Sequence, residues 1–129
     1  MNIGLDMYLN RVNNNENNGG NEIYYWRKCN HIHDWFIRNG NLNDNFNAGD
    51  SPLIINKDLA QKLIDELKIV IENHDKAAEL FPTASGFFWG NTDYDERYYE
   101  SLQETRITLI TEFLDTDWDN EHWEYSCWW

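Results

Sequence analysis

The sequence predicts an α+β domain of about three helices with a small antiparallel sheet formed by N- and C-terminal strands. Three patterns carry this. Apolar and polar residues alternate near the N-terminus, apolar residues recur at helical spacing through the middle, and aromatics alternate with polar residues from Trp118 to Trp129. At 129 residues the chain reads as one domain, 1–129, long enough to bury roughly two-thirds of the surface its unfolded form exposes.

From Ile3 to Val12, residues Ile3, Leu5, Met7 and Leu9 fall on one side and Gly4, Asp6, Tyr8 and Asn10 on the other, a strand. Asn13 to Asn21 lacks an apolar anchor and reads as a surface loop. A helix is expected from about Trp26 to Asn39, with Trp26, Cys29, Asn30, Ile32, His33, Phe36 and Ile37 on its buried face. Gly40 to Ser51 is a second polar connection, tethered by Leu42 and Phe46. Leu53-Ile54-Ile55 is a short extended piece. Asn56 is placed to cap a helix to about Asn73, with Leu59, Leu63, Leu67, Val70 and Ile71 at helical spacing. A short helical turn from Lys76 ends at Pro82. Thr92 and Asp95 form a variant capping box for a helix to about Leu114 through Leu102, Leu109, Ile110 and Phe113. The aromatic tail makes the last strand, beside the first.

Composition bounds the partners. Hydrophobic residues make up 41% of the chain and aromatics 16%, enough for a core, while the formal net charge is −13. Between Asp93 and Trp129 eleven acids face two cations, Arg97 and Arg106. Such a field opposes direct binding of nucleic acid or anionic lipid and favours a basic protein surface. Cys29 and Cys127 do not make a disulfide framework. With neither a leader pattern nor a membrane-length apolar run, a cytoplasmic protein is expected.

The stretch from Tyr24 to Phe36 holds five aromatics, two adjacent cations and two histidines. On a helix, Arg27, Lys28, His31, Asp34, Trp35 and Arg38 would form a basic face opposite the buried one. Either these cations pair with carboxylates elsewhere, at about 0–1 kcal/mol per surface pair, or they meet a ligand. Gly86 and Gly90 bracket Phe87, Phe88 and Trp89, where glycine permits turns costly to other residues. Arg27, Lys28, His31, Trp35, Phe88, Trp89 and Tyr94 together have the composition of a phosphate-and-base pocket: cations for phosphate, aromatic faces for stacking, backbone N–H groups for an anion. The competing reading has the three aromatics plugging the core.

Other motifs fall short of a site. His31 and His33 are two apart and point away from each other on a helix, so they share no ion. His33 reads as a hydrogen-bonded buried histidine and His31 as surface. Asp115-x-Asp117-x-Asp119 resembles half of a calcium loop, but Asn120 replaces the turn glycine and Ser126 the bidentate Glu. Ser85 lacks a nucleophile-elbow spacing. Cys29 and His33 are both expected to be buried. No catalytic set, metal site or cofactor is expected, and the chain reads as non-enzymatic.

The order of motifs resembles a family of small phage and prophage proteins that open Gly-Leu-Asp-Met-Tyr-Leu, matched at Gly4 to Leu9. The Tyr-Trp-Arg-Lys segment with its downstream Asn, Ile-His and Trp-Phe is matched by Tyr25 to Lys28, Asn30, Ile32-His33 and Trp35-Phe36. A Pro-Thr-x-Ser-Gly-Phe-Phe block is matched by Pro82-Thr83, Ser85-Gly86, Phe87-Phe88 and Gly90, and Tyr94-Asp95-Glu96 with Tyr98 or Tyr99 fits the next segment. The chain departs from the usual form in Asn2-Ile3, in the Asn-rich stretch from Asn13 to Asn21, and in the acidic C-terminal region. The resemblance implies a mobile-element origin in an infected host cell and carries no established activity.

Two functional expectations follow. The first is a phage-type protein that antagonises host defence by holding a small phosphorylated or nucleotide ligand in the basic-aromatic pocket, with self-association into a homo-oligomer left open. The alternative is an inhibitor whose Asp93, Glu100, Glu104, Asp115, Asp117, Asp119, Glu121 and Glu124 imitate nucleic acid toward a basic host defence protein.

Overall fold

A computed structural model describes residues 4–16, 20–83 and 93–129. Within them β1 (Asp6–Asn13), β2 (Asn21–Arg27), β3 (Leu53–Ile55) and β4 (Glu121–Trp128) form one antiparallel sheet in the order β2-β1-β4-β3. Helices α1 (Asn30–Asn39), α2 (Lys57–Glu72), α3 (Ala77–Leu80) and α4 (Glu96–Asp115) complete the α+β fold, with a 3-10 turn at His74–Lys76 before α3. The first and last strands are the central pair, in unbroken register from Asp6 opposite Trp128 to Asn13 opposite Glu121.

The alternation in β1 and β4 gives the sheet two unlike faces. Met7, Leu9, Trp123, Tyr125 and Cys127 point inward with Trp26 and Ile55 and are buried. Tyr8, Asn10, Glu124 and Ser126 point the other way and keep partial exposure, while Ile54 and Trp128 are exposed. A bulge between Leu9 and Asn10 leaves Ile23 of β2 without an opposite residue. The β1–β2 connection needs glycine at position 20. Its φ is +72°, and a Cβ there would stand 2.2 Å from the Arg11 carbonyl oxygen.

The helices gather on the inner face. Phe36 of α1 stacks on Tyr125 of β4 with ring centroids 3.9 Å apart, and meets Trp26 edge-on at 6.0 Å. Asn56 caps α2 as expected, its Oδ1 accepting the Leu59 N–H at 2.9 Å. Leu63, Leu67 and Val70 are buried, and Leu59 and Ile71 are partly so. The start of α4 differs from the expected capping box: Asp95, placed there as the partner of Thr92, is itself the N-cap and accepts the Tyr98 N–H at 3.0 Å, so the helix begins at Glu96. Thr92, Ser85 and the segment from Gly86 to Gly90 lie outside the described residues. Phe46 is buried and Leu42 packs against the core, so both expected tethers hold the 40–52 connection.

One element departs from expectation. The helix does not begin at Trp26, because residues 21–27 are the edge strand β2, paired with β1 from Asp6 opposite Arg27 to Arg11 opposite Asn21. Lys28 breaks the chain direction with φ 54°, and its N–H donates to the Leu5 carbonyl at 2.7 Å. Ile23, Tyr24, Tyr25 and Trp26 are strong strand formers; pairing with β1 overrides the helical spacing that Trp26 shares with Cys29 and His33. Four helices stand where about three were expected, since the short turn before Pro82 closes a separate four-residue helix.

Phe36→Ala should cost about 3–5 kcal/mol, the usual cost of emptying a buried aromatic site, read as a lower urea midpoint at unchanged slope. A loss below about 1 kcal/mol would mean that α1 does not seat on Tyr125.

Candidate functional site

The end of β2, the turn into α1 and the first turns of α4 enclose a cleft of about 470 Å³. Arg27 comes from the strand, Lys28 and Cys29 from the turn, and His31 from α1. Arg97, Tyr98, Ser101 and Glu104 come from α4, with Thr83 and Asp93 from neighbouring segments. Asp95 seats α4 so that positions 97, 101 and 104 share one side of the helix. Sequence reasoning missed Arg97, Tyr98 and Ser101, although the cap at Asp95 with this spacing was the signal for them.

Three cations, Arg27, Lys28 and Arg97, and three carboxylates, Asp93, Asp95 and Glu104, line the cleft. Among the described residues no carboxylate stands within ion-pair distance of Arg27, Lys28 or Arg97; Arg11, Arg38, Lys62 and Lys76 have acidic partners, and Lys57, Lys68 and Arg106, outside the cleft, have none at that distance. The N-terminus of α1 opens here too. Cys29 at its N-cap gives no capping side-chain hydrogen bond, and the first turn carries no acid. Its partial positive charge therefore adds to that of the side chains. Lys28 also occupies a backbone region that side chains rarely adopt, a strain of roughly 1–3 kcal/mol that tends to persist at functional positions.

The cleft floor is polar but closed. His31 Nε2 lies 2.8 Å from Ser101 Oγ and 3.4 Å from Cys29 Sγ, and its ring packs on Tyr98 at 4.5 Å. Ser101 Oγ also donates to the Tyr98 carbonyl at 2.6 Å. Burial lowers His31 to about 4 and raises the Cys29 thiol to about 12. A neutral imidazole of such low basicity beside a protonated thiol is poorly matched to general-base or nucleophilic work near neutral pH.

The other expected site residues separate. His31 is buried rather than on the surface, because α4 covers that side of α1. Trp35 is fully buried: its Nε1–H donates to Glu66 Oε1 at 3.0 Å and its ring stacks with Phe81. It therefore offers no face to a ligand. The basic helical face does not exist as such, since Arg27 and Lys28 precede α1 and Arg38 is tied to Asp34 at 2.6 Å and to the Leu80 carbonyl. Tyr94 is exposed, its hydroxyl accepting the Thr83 N–H at 3.2 Å and its ring meeting Tyr98. Phe88 and Trp89 lie outside the described residues. His33 is buried and bonded as expected, its Nδ1 being 2.6 Å from the Tyr125 hydroxyl.

The acids of the alternative reading divide. Asp93, Glu100, Glu104, Asp115, Asp117 and Asp119 are exposed. Glu121 pairs with Arg11 at 3.7 Å, and Glu124 with His122 at 2.8 Å. The Asp117 carboxylate accepts the Asn120 amide and the Asp119 N–H within its own turn. Among the described residues no group of three or more His, Cys, Asp or Glu is arranged to hold a metal ion, and no described helix is long and apolar enough to cross a membrane. Both cysteines are free and buried. No protein-family model, curated protein or solved structure matches this chain.

The two buried histidines set a pH dependence. Burial lowers both to about 4 from an ordinary value of 6.5, with Asp34 only partly opposing it at His33. The fold favours the neutral rings, so their contribution is complete above pH 6.5 and is lost as pH falls toward 4, on the order of 3 kcal/mol per ring when fully protonated. Urea midpoints should be level above pH 7 and drop between 6.5 and 4.5, above the main carboxylate range, with a smaller drop in His31→Asn. A level midpoint through that window would contradict the burial of both rings.

Proposed function

We propose that the protein binds a small phosphorylated ligand, a nucleotide in preference to free phosphate, at the β2–α1–α4 cleft without transforming it. One observation carries this reading: in a chain of net charge −13, Arg27, Lys28 and Arg97 line one cleft with no carboxylate at ion-pair distance among the described residues. Phosphate oxygens suit such cations and the α1 N-terminus. The aromatic rings of Tyr24 and Tyr98 and the carboxylate of Glu104 suit a base and its amino groups better than they suit a bare anion. The resemblance to phage and prophage proteins supports a setting in which sequestering a nucleotide messenger antagonises host defence.

Calorimetry against mono-, di- and cyclic nucleotides and inorganic phosphate tests the reading. Arg27→Ala should weaken binding by about 1.5–3 kcal/mol, the usual worth of a charge-assisted hydrogen bond. Lys28→Gly should weaken it too while changing stability by less than about 1 kcal/mol, since glycine relieves the backbone strain but loosens the unfolded chain. Absence of heat with every nucleotide and with phosphate would remove the proposal.

The exposed acids along α4 and the 115–119 turn favour a second reading, an imitation of nucleic acid toward a basic defence protein. Its complex should weaken steeply between low and physiological salt, as steered association does. Salt-independent binding of such a partner would count against it.

A further inference from the structure

The outer face of the sheet is uncovered by any described helix and carries an aromatic strip. Tyr25 of β2 and Tyr8 of β1 are opposite each other with ring centroids 5.4 Å apart. Trp128 of β4 lies diagonal to Tyr8 through the pairing of Tyr8 with Ser126 and Asp6 with Trp128. Beyond them Ile54 of β3 stands opposite Glu124. Trp128 is 60% exposed, Ile54 55% and Tyr25 41%. Tyr25, Tyr8 and Trp128 form a strip over β2, β1 and β4, and Ile54 stands apart from it across Ser126 and Glu124. Three neighbouring rings, two of them exposed, exceed the scattered exposure that a soluble surface normally shows. Trp128 is also held in place: its neighbour Cys127 is buried, and Trp129 is fixed by its N–H to Asn47 Oδ1 at 3.0 Å and its Nε1–H to the Phe46 carbonyl at 2.7 Å.

The charges on this face select the occupant. Asp6 accepts the Tyr25 hydroxyl at 2.5 Å, Glu22 lies opposite Asn10, and Glu124 sits between Asn10 and Ile54, so carboxylates surround the rings on three strands. Arg27, at the end of β2, is the one arginine or lysine on the strip. Two copies paired through this face would set acid against acid, and nucleic acid would bring phosphates to carboxylates. Tyrosine and tryptophan faces attract cations, more so when desolvated. We infer that this face docks a basic segment of a partner protein, with Arg or Lys side chains over Tyr8, Tyr25 and Trp128 and ion-paired to Asp6 and Glu22, an aliphatic side chain against Ile54, and Glu124, already bonded to His122, at the edge of the contact. The inference stands independently of the cleft and can hold or fail without it.

The test is nitrogen-15 NMR of the full chain titrated with the hexapeptide Arg-Leu-Arg-Leu-Arg-Leu, and separately with a cellohexaose sugar and a six-base oligothymidine. The expected result is saturable shifts of the Trp128 indole and of the Tyr8, Tyr25 and Glu124 amides with the peptide alone. Trp128→Ala should weaken that binding at least fivefold. E72Q/D75N, which removes two remote negative charges, should leave it within twofold; if Trp128→Ala loses its spectral dispersion, Tyr25→Ser takes its place. Shifts centred on residues 115–119, equal loss in both variants, preferential binding of the sugar or the oligothymidine, a concentration-dependent dimer through this face, or no saturable shift would each overturn the inference.

Discussion

The fold depends on the burial of α1 on nearly every side. Ten residues long, it has seven buried, and its side chains reach the sheet in one direction and the other helices in the rest. Phe36 and His33 meet Tyr125, Trp35 meets Glu66 and Phe81, and His31 meets Tyr98 and Ser101. A helix this short is marginal by itself, so its stability is borrowed from these neighbours. The neighbours depend on it in turn: Phe36 covers Tyr125 of β4 together with Phe46, and Trp26 of β2 lies between Phe36 and Thr105 of α4.

Burying aromatics that carry polar atoms raises the cost of misplacement, and the structure meets it with specific partners. Trp26 Nε1–H donates to Thr105, Trp123 Nε1–H to Thr116, and Tyr98 hydroxyl to the Phe81 carbonyl. Each bond links a strand or helix to an element distant in the chain or to its own closing turn. A slip of register would leave an indole or phenol unsatisfied, which costs more than the bond itself contributes. The same logic keeps His31 and His33 neutral and ties the stability of the core to proton concentration.

The two surfaces argued to bind partners have opposite character and meet near Arg27. On the cleft side, three cations and the α1 N-terminus stand among three carboxylates with which they form no ion pairs among the described residues. On the open sheet face, rings are framed by carboxylates. Sheets of this kind commonly leave one face to solvent, but here that face is neither plainly polar nor shielded. Arg27 lies opposite Asp6 in the strand register while lining the cleft, so it marks the border between the two fields.

The sequence by itself determined the elements whose periodicity is long or whose caps are local: β1 and β4 from alternation, α2 from Asn56 and its leucines, the body of α4 from Leu102, Leu109, Ile110 and Phe113, and the buried state of Phe36 and His33. Those signals lie within one or two turns or one strand, and local sterics and hydrogen bonding fix them. Only the tertiary structure decided that Tyr24 to Trp26 form a strand, because their spacing serves either period and pairing with β1 settles it. It likewise decided that His31 and Trp35 are covered and that Arg97 joins Arg27 and Lys28. Exposure and proximity between residues seventy positions apart depend on which helix packs over which face, a quantity that no single segment encodes.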